Sequence, residues 1–448
     1  MSNRHKSACQ GRWQRGTRGS GIGRAGRAGL CLCGVLFGLL SLSGCQLLDM
    51  ASFSYTNATS EHAWAGSERV TSVPFELVNN HIIVPVSING SEPLNFVLDS
   101  AAAATVVVDS RRSRELQLPS AGEVRVSGTG SGPQPTANIV KGAEVSIGSV
   151  SLLAQSLISL PLEALPFFEE LDEVYFDGIV GYDFLRRFVV EVNYDQMRVV
   201  LAETDNYQSP FHGRATTWQT LPLYVDGAMP YLSAVVHQHP AEAQAVKLLV
   251  DTGSTSSFSL VASSIGGLDL PQTYFVETSQ GLAGDIAQRV TQFDFLALGE
   301  YRLGAIPGRY SVAGEKGDSG SNGILGNRVL SRFNLIFDYA NGTLALQPND
   351  RFELPLRADR SGLRIQPHAR GAVVKNVAVG TAGAAAGLRV GDIITLVDER
   401  PVTRQSVDEL HRALSSTVAT VDLCWESEGQ QRCGQLELAS RYQTFAGA

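Results

Sequence analysis

Tryptophan, methionine, cysteine and charged residues are all scarce in this sequence. Its 448 residues include 4 Trp, 4 Met and 6 Cys, and charged side chains make up 18% of the chain. The cysteines and histidines show no spacing typical of a zinc site, so we expect neither a metal nor a cofactor. Hydrophobic residues reach 44%, which excludes wholesale disorder. Abundant valine, leucine, glycine and serine favour a mainly β fold of several domains.

Acidic residues are absent from residues 1–44, where basic residues precede the apolar run LCLCGVLFGLLSLSG. This run is shorter than a membrane-spanning helix, and the order basic, then apolar, is typical of a secretory signal. Its end, Leu42-Ser43-Gly44-Cys45, resembles the bacterial lipobox. The resemblance implies cleavage before Cys45, lipidation of its thiol, and a periplasmic protein on a lipid anchor. Gln46 after the cysteine favours the outer membrane; a plain signal peptide and an uncleaved anchor are the alternatives.

Cleavage would leave a strongly acidic chain. It removes seven of the 36 basic residues and no acidic residue, so 29 basic and 44 acidic residues remain, a net charge of −15. This charge argues against a nucleic-acid partner. The next segment, 45–70, is rich in Ser, Thr, Asn and Ala without periodicity, and predicts a flexible tether.

Two segments repeat the same landmarks in the same order. GIVGYDFLRRFVVEVNYDQMRVVL, from Gly178, and GILGNRVLSRFNLIFDYANGTLAL, from Gly323, align without gaps and share eight identities. Upstream of each, NFVLDSAAAATVV around Asp99 matches KLLVDTGSTSSFS around Asp251. A duplicated unit predicts two homologous β lobes, residues 71–205 and 206–350.

Each repeat ends an apolar strand in one carboxylate, which is costly to bury without partners. After Asp251, Gly253 lets the backbone turn tightly and bring N–H donors to the carboxylate, and the Thr252 hydroxyl needs a partner if it is buried. Asp251-Thr252-Gly253 followed by Ile-Leu-Gly326, and Asp99-Ser100-Ala101 followed by Ile-Val-Gly181, together resemble the aspartic proteases of the retropepsin and pepsin clan.

This resemblance implies a bilobal β fold that is complete in one chain, and hence a monomer. It implies that Asp99 and Asp251 share one proton and activate a water to hydrolyse peptide bonds. Ser100, Ala101, Thr252 and Gly253 would support this dyad, and Gly181 and Gly326 would form the apolar-apolar-Gly turns behind it. Hairpins that close over substrate are also implied, and the candidates are the glycine-rich Ser127–Gly132 and Ser279–Gly284.

The first lobe departs from the family pattern, because Ala101 stands where the family has glycine. Its Cβ adds bulk in a tight loop. Two alternatives to an intact dyad therefore stay open. One is a catalytically degenerate scaffold that binds peptides in the envelope; the other is a homodimer that pairs two second lobes and uses only Asp251.

Residues 355–440 change in character, with short strands and two helical segments. Ala386-Gly387-Leu388 and Gly391-Asp392-Ile393-Ile394 resemble a bacterial PDZ domain of α+β type. The resemblance implies capture of a peptide at a sheet edge, with Ser361, Gly362 and Leu363 as the candidate carboxylate-binding loop. The alternative is a PDZ domain that only packs on the protease.

Cys424 and Cys433 flank WESEGQQR. A two-residue turn at Glu428-Gly429 places them opposite each other at a non-hydrogen-bonded pair, where a disulfide is feasible. An oxidising periplasm would permit it, and two free thiols are the alternative. Taken together, the sequence predicts a lipid-anchored aspartic endopeptidase whose PDZ domain recruits or gates polypeptide substrates.

Overall fold

The computed structural model describes residues 49–130, 132–208, 218–266, 270–311 and 320–444. The predicted signal segment and Cys45 lie outside these ranges. The fold is mainly β and ends in a PDZ domain. Among the described residues, no helix is long and apolar enough to cross a membrane.

Lobe 1 is a nine-stranded sheet in the order β1-β9-β6-β10-β5-β4-β8-β7, with β3 beside β4. Its helices are α1 (49–59) and α2 (Tyr182–Leu185). The strands of this half of the chain are β1 (His62–Trp64), β2 (Val70–Pro74), β3 (Glu76–Val78), β4 (His81–Ile88), β5 (Leu94–Leu98), β6 (Val106–Val108), β7 (Glu123–Arg125), β8 (Thr136–Ile147), β9 (Val150–Leu160), β10 (Gly178–Val180), β11 (Val189–Asn193) and β12 (Arg198–Ala202).

The structure corrects the predicted tether, because residues 49–70 are folded onto lobe 1. Helix α1 buries Phe53 and Asn57, which lie four residues apart on one helix face. The Asn57 amide donates to Ser156 O at 2.9 Å and accepts from Ser156 N at 2.8 Å, and it also donates to Asp183 at 3.3 Å. The small polar composition of this helix shows no apolar periodicity, because only Phe53 and Asn57 of its residues are buried.

Lobe 2 repeats the arrangement in the order β14-β15-β16-β21-β17-β20-β19-β18, and a short strand from the C-terminal tail, β30 (Gln443–Thr444), pairs with β18 at its edge. Its helix is α3 (Asn327–Leu330). The strands of this half are β13 (Gln219–Pro222), β14 (Tyr224–Asp226), β15 (Met229–His237), β16 (Gln244–Asp251), β17 (Phe258–Val261), β18 (Thr273–Gly281), β19 (Gly284–Leu298), β20 (Tyr301–Ser311), β21 (Gly323–Gly326), β22 (Phe333–Asp338) and β23 (Thr343–Pro348).

A third sheet joins the lobes. It takes three strands from each half, in the order β13-β23-β22-β11-β12-β2. At its centre β11 and β22 run antiparallel, with Val190 opposite Phe337. This pairing relates the two repeats by an approximate two-fold axis, and it continues one apolar core through both lobes.

The PDZ domain is a sheet in the order β24-β25-β26-β28-β29, with β27 beside β26, and its own apolar core. Cys424 lies opposite Cys433 in β28–β29, and their sulfurs are bonded. The tail after this hairpin adds a short strand to β18 of lobe 2. The elements are β24 (Leu363–His368), β25 (Gly371–Val377), α4 (Ala382–Ala385), β26 (Ile393–Val397), β27 (Arg400–Pro401), α5 (Val407–Leu414), β28 (Thr420–Ser427), β29 (Gln430–Glu437) and β30 (Gln443–Thr444).

Candidate active site

Asp99 and Asp251 occupy equivalent places in the two lobes. Asp99 directly follows β5, which pairs in parallel with β10, and the Asp99 N–H donates to Val180 O at 3.0 Å. Asp251 ends β16, which pairs in the same way with β21, opposite Gly326. The three residues before each aspartate are all buried: Phe96, Val97, Leu98, Leu248, Leu249 and Val250. Each carboxylate is therefore carried by a strand that is covered on both faces.

Gly181 and Gly326 allow the loop after each aspartate to pack against the paired strand. A Cβ on Gly181 would lie 2.6 Å from the carbonyl oxygens of Ala102 and Ala104, and one on Gly326 would lie 2.3 Å from Ser256 O. Ala104 and Ser256 are each five residues beyond their aspartate. The duplicated glycines thus make the same backbone contact in both lobes, and no other residue would fit.

Ser100 and Thr252 join the two loops. The Ser100 hydroxyl donates to Val250 O at 2.6 Å, and the Thr252 hydroxyl donates to Leu98 O at 2.7 Å. Each hydroxyl also accepts the backbone N–H of the other residue, at 2.9 and 3.1 Å. Both side chains are almost wholly buried, and these four bonds satisfy their hydroxyls.

The Asp99 carboxylate is held by its own loop and lies against the loop of lobe 2. Its Oδ1 accepts the N–H groups of Ala101 at 2.8 Å and of Ala102 at 3.1 Å. A Cβ on Gly253 would lie 2.3 Å from Asp99 Oδ2, so the glycine leaves space for this carboxylate. Ala101 is not in the left-handed region of backbone conformation. Alanine at this position is therefore compatible with the N–H bonds that glycine would make.

Burial and mutual repulsion set the protonation of the two carboxylates. Burial raises the pKa of Asp99 to about 6, against the opposing effect of the Ala101 and Ala102 N–H groups. Burial also raises the pKa of Asp251 well above its usual range, and the charge of Asp99 raises it further. One carboxyl is therefore protonated while the other is charged over a range of pH above about 6.

The two glycine-rich candidate hairpins meet at their tips. Gly132 N donates to Ala283 O at 2.6 Å, and Ala283 N donates to Thr129 O at 2.8 Å. A Cβ on Gly130 would lie 2.3 Å from the carbonyl carbon of Ala283, and one on Gly281 would lie 2.2 Å from Thr129 O. The tips are therefore interlocked through backbone contacts that only glycine permits.

In the PDZ domain, the candidate carboxylate-binding loop is already bonded to a carboxylate of the same chain. Gly362 N donates to Asp359 Oδ1 at 2.7 Å, the Ser361 hydroxyl donates to Asp359 Oδ2 at 2.8 Å, and Leu363 N donates to Ser361 Oγ at 3.1 Å. Arg441 from the tail donates to Asp359 at 3.1 Å and stacks 4.0 Å from the Phe275 ring in β18. This loop is thereby connected to the hairpin of lobe 2.

Sequence reasoning missed His81, the first residue of β4. Its Nε2 lies 2.8 Å from Gly253 O, and its Nδ1 lies 2.6 Å from the Tyr175 hydroxyl. Burial lowers the pKa of His81 to about 4, so the ring is neutral at physiological pH. The sequence shows a histidine at the start of the apolar strand HIIVPVSI, but it does not indicate which residues this histidine contacts.

Two models of known families match parts of the chain. Residues 84–184 match the aspartyl protease family model, and residues 352–424 match the PDZ domain model. The first match contains Asp99 and Gly181 and ends before lobe 2. No curated protein matches the chain. The chain therefore carries an aspartyl protease domain, which supports peptidase activity in general, and a C-terminal PDZ domain, which supports peptide or polypeptide binding.

Proposed function

We propose that the chain is an aspartic endopeptidase of the bacterial envelope, in which Asp99 and Asp251 form one catalytic dyad. The observation that carries the proposal is the interlock of Ser100 and Thr252, which fixes the two loops against each other across the lobe junction. The raised pKa values of both carboxyls, to about 6 for Asp99, favour a pair that shares a proton.

The chemistry follows from that shared proton. The charged carboxylate takes a proton from a water, whose oxygen attacks the carbonyl carbon of the peptide bond. The protonated carboxyl gives its proton to the carbonyl oxygen as the tetrahedral intermediate forms. Collapse of the intermediate breaks the C–N bond. The dyad gives its proton to the leaving amine nitrogen, and one hydroxyl of the intermediate returns a proton to the dyad as it becomes the carbonyl oxygen of the product acid. Water is the only co-reactant.

The contact between the two hairpin tips supports a role for these hairpins in controlling substrate access to the dyad. We infer that the loops Ser127–Gly132 and Ser279–Gly284 close over an extended polypeptide, and that substrate enters when they separate. The tail that pairs with β18 lies on one of these hairpins, so the PDZ domain is positioned to gate their opening. The contacts within the chain and the two-lobe dyad favour a monomer.

The proposed cellular location is the periplasm, with the chain held at the outer membrane by a lipid on Cys45. The basic and apolar leader and Leu42-Ser43-Gly44-Cys45 support lipidation at Cys45, and the Cys424–Cys433 bond suits an oxidising periplasm. Metabolic labelling with a fatty acid tests this: wild type should incorporate the label and fractionate with the outer membrane, and Cys45→Ser should do neither. Labelling of Cys45→Ser would contradict the anchor.

Digestion of casein and of a peptide library tests the activity. Wild type should cleave internal bonds, whereas Asp99→Asn and Asp251→Asn should each lose cleavage, and Asp226→Asn, an exposed control in β14, should not. Activity retained by Asp99→Asn, together with a dimer in light scattering, would favour the Asp251-only homodimer. A wild type that binds peptides without cutting them would favour the degenerate scaffold.

A further inference from the structure

His81 lies against the loop that carries Asp251, and its two ring nitrogens have different partners. Gly253 O can only accept, so the proton of the neutral ring is on Nε2. Nδ1 then accepts, and the Tyr175 hydroxyl must be its donor. The tautomer of His81 is thus fixed by its two neighbours.

The same logic extends the chain of bonds outward. Because the Tyr175 proton points to His81, its oxygen accepts from the Asn79 Nδ2 at 3.4 Å. Asn79 Oδ1 is then free to accept from His411 Nε2 at 3.2 Å. Four hydrogen bonds therefore run in one direction, from helix α5 of the PDZ domain to Gly253. Bonds aligned in this way polarise and strengthen one another in a buried site.

The last bond acts on a peptide group that also faces Asp251. The carbonyl of Gly253 and the N–H of Ser254 belong to the same peptide. This N–H donates to the main-chain carbonyl of Asp251 at 3.3 Å, and it lowers the pKa of the Asp251 carboxyl. Donation from His81 to the carbonyl makes the N–H a stronger donor. His81 therefore stabilises the charged form of Asp251 without contacting its carboxylate.

The strand register gives the loop that carries Asp99 no histidine equivalent to His81. Ile83 pairs with Val97, two residues before Asp99, and Tyr231 pairs with Leu249, two residues before Asp251. The strand register therefore places Met229 where His81 stands, and a thioether has no proton to donate. The two halves of the dyad are thus held differently.

Docking of the PDZ domain holds His411 beside Asn79. Lys375 and Glu173 form a buried ion pair at 3.1 Å, with side chains only 4% and 6% exposed. The carbonyl of Asp172 accepts both from Ala369 N at 3.2 Å and from the Arg404 guanidinium at 3.1 Å. These contacts fix the PDZ domain on lobe 1, next to the turn that contains Asn79.

We propose that His81 is a positioning residue for Asp251, and that the PDZ domain orients it through Asn79 and Tyr175. The PDZ domain then completes the active site, in addition to any part it has in recruiting substrate. This inference rests on the proposed aspartic peptidase activity.

Kinetic measurements on Tyr175→Phe and His411→Ala test the series of hydrogen bonds at two of its members. Loss of one bond should lower kcat by about two- to tenfold with little change in KM. It should also move the alkaline limb of the pH–rate profile to higher pH, because weaker donation to charged Asp251 raises the pKa of this carboxyl, which is the protonated member of the pair at neutral pH. Matched controls are Tyr310→Phe, whose hydroxyl bonds Gln238 in lobe 2, and Glu409→Gln, on the exposed face of α5. Wild-type kcat and pH profile in either test variant would overturn the proposal.

Histidine tautomers give a second measurement that needs no cleavage. In the full chain labelled with ¹⁵N-histidine, the His81 signals are assigned by their loss in His81→Gln. We expect the proton on Nε2 in wild type and an altered pattern in Tyr175→Phe. A proton on Nδ1, or no effect of Tyr175→Phe, would overturn the chain of bonds. An inactive wild type would instead overturn the proposed function, with the hydrogen-bond chain still tested.

Discussion

Ser100 and Thr252 each donate a backbone N–H to the hydroxyl of the other, at 2.9 and 3.1 Å, across the junction of the two lobes. The side chains come from residues 152 positions apart, and both are buried. The contact matters because it ties the position of each aspartate to the opposite lobe. Neither lobe can shift the loop that carries its aspartate without breaking these bonds.

Thr252→Val should therefore destabilise the chain. It keeps the shape of the side chain but removes the donor to Leu98 O and leaves the Ser100 N–H without its acceptor. We expect a loss of about 2–4 kcal/mol in the free energy of unfolding, measured by denaturant titration. Thr220→Val, on an exposed position of β13, is the control and should change stability little. Equal stability of the two variants would contradict the interlock.

Asp99→Asn should stabilise the chain at neutral pH. In the unfolded chain this carboxyl ionises above its ordinary value of 3.8, whereas burial raises its pKa in the folded protein to about 6. Stability of the wild type is therefore lost as pH rises through this range, and the amide avoids the loss. We expect a gain of about 1–3 kcal/mol at pH 7 that vanishes below pH about 4. A gain that is equal at both pH values would show that the carboxyl is not buried as described.

The same shifts predict the pH dependence of cleavage. Below the pKa of Asp99, about 6, both carboxyls are protonated and no charged base remains to activate water. The value of kcat/KM should therefore fall on the acidic side of about pH 6, and activity should persist at neutral pH. A maximum near pH 3 would contradict the buried environment of the pair.

Ala101→Gly and Gly253→Ala should differ sharply. Ala101 already donates its N–H to Asp99, so glycine adds no bond, and cleavage should stay within about twofold of wild type. A Cβ on Gly253 would lie 2.3 Å from Asp99 Oδ2 and must displace that carboxylate. Cleavage should therefore fall by about 10²-fold. A large gain in Ala101→Gly would instead mark lobe 1 as degenerate.

Asp359→Asn should tighten binding of peptides that end in a free carboxylate. In the wild type the Gly362 N–H is bonded to Asp359, and a second carboxylate at this loop would be repelled. Removing that charge should strengthen binding by about three- to tenfold, measured by fluorescence anisotropy. The same peptide with an amidated C-terminus is the control and should gain nothing. An equal gain for both peptides would mean that the loop does not bind the terminal carboxylate.

Much of the protease framework is visible in the sequence, because its determinants are local. An apolar strand that ends in Asp99 or Asp251, and a glycine such as Gly181 or Gly326 that meets a backbone carbonyl, are specified within a few residues. Duplication made the pattern visible twice. Turn spacing likewise placed Cys424 opposite Cys433, and the structure has them bonded.

The remaining features depend on residues far apart in the chain. His81 meets Gly253 at a separation of 172 residues, and His411 meets Asn79 at 332. Helix α1 folds because Asn57 finds Ser156 and Asp183, which no local composition reveals. By itself, then, the sequence determined which aspartate ends an apolar strand in each of the two repeats. The tertiary structure alone decided what surrounds them, since a buried polar group is satisfied by whichever partner the packing of distant segments supplies.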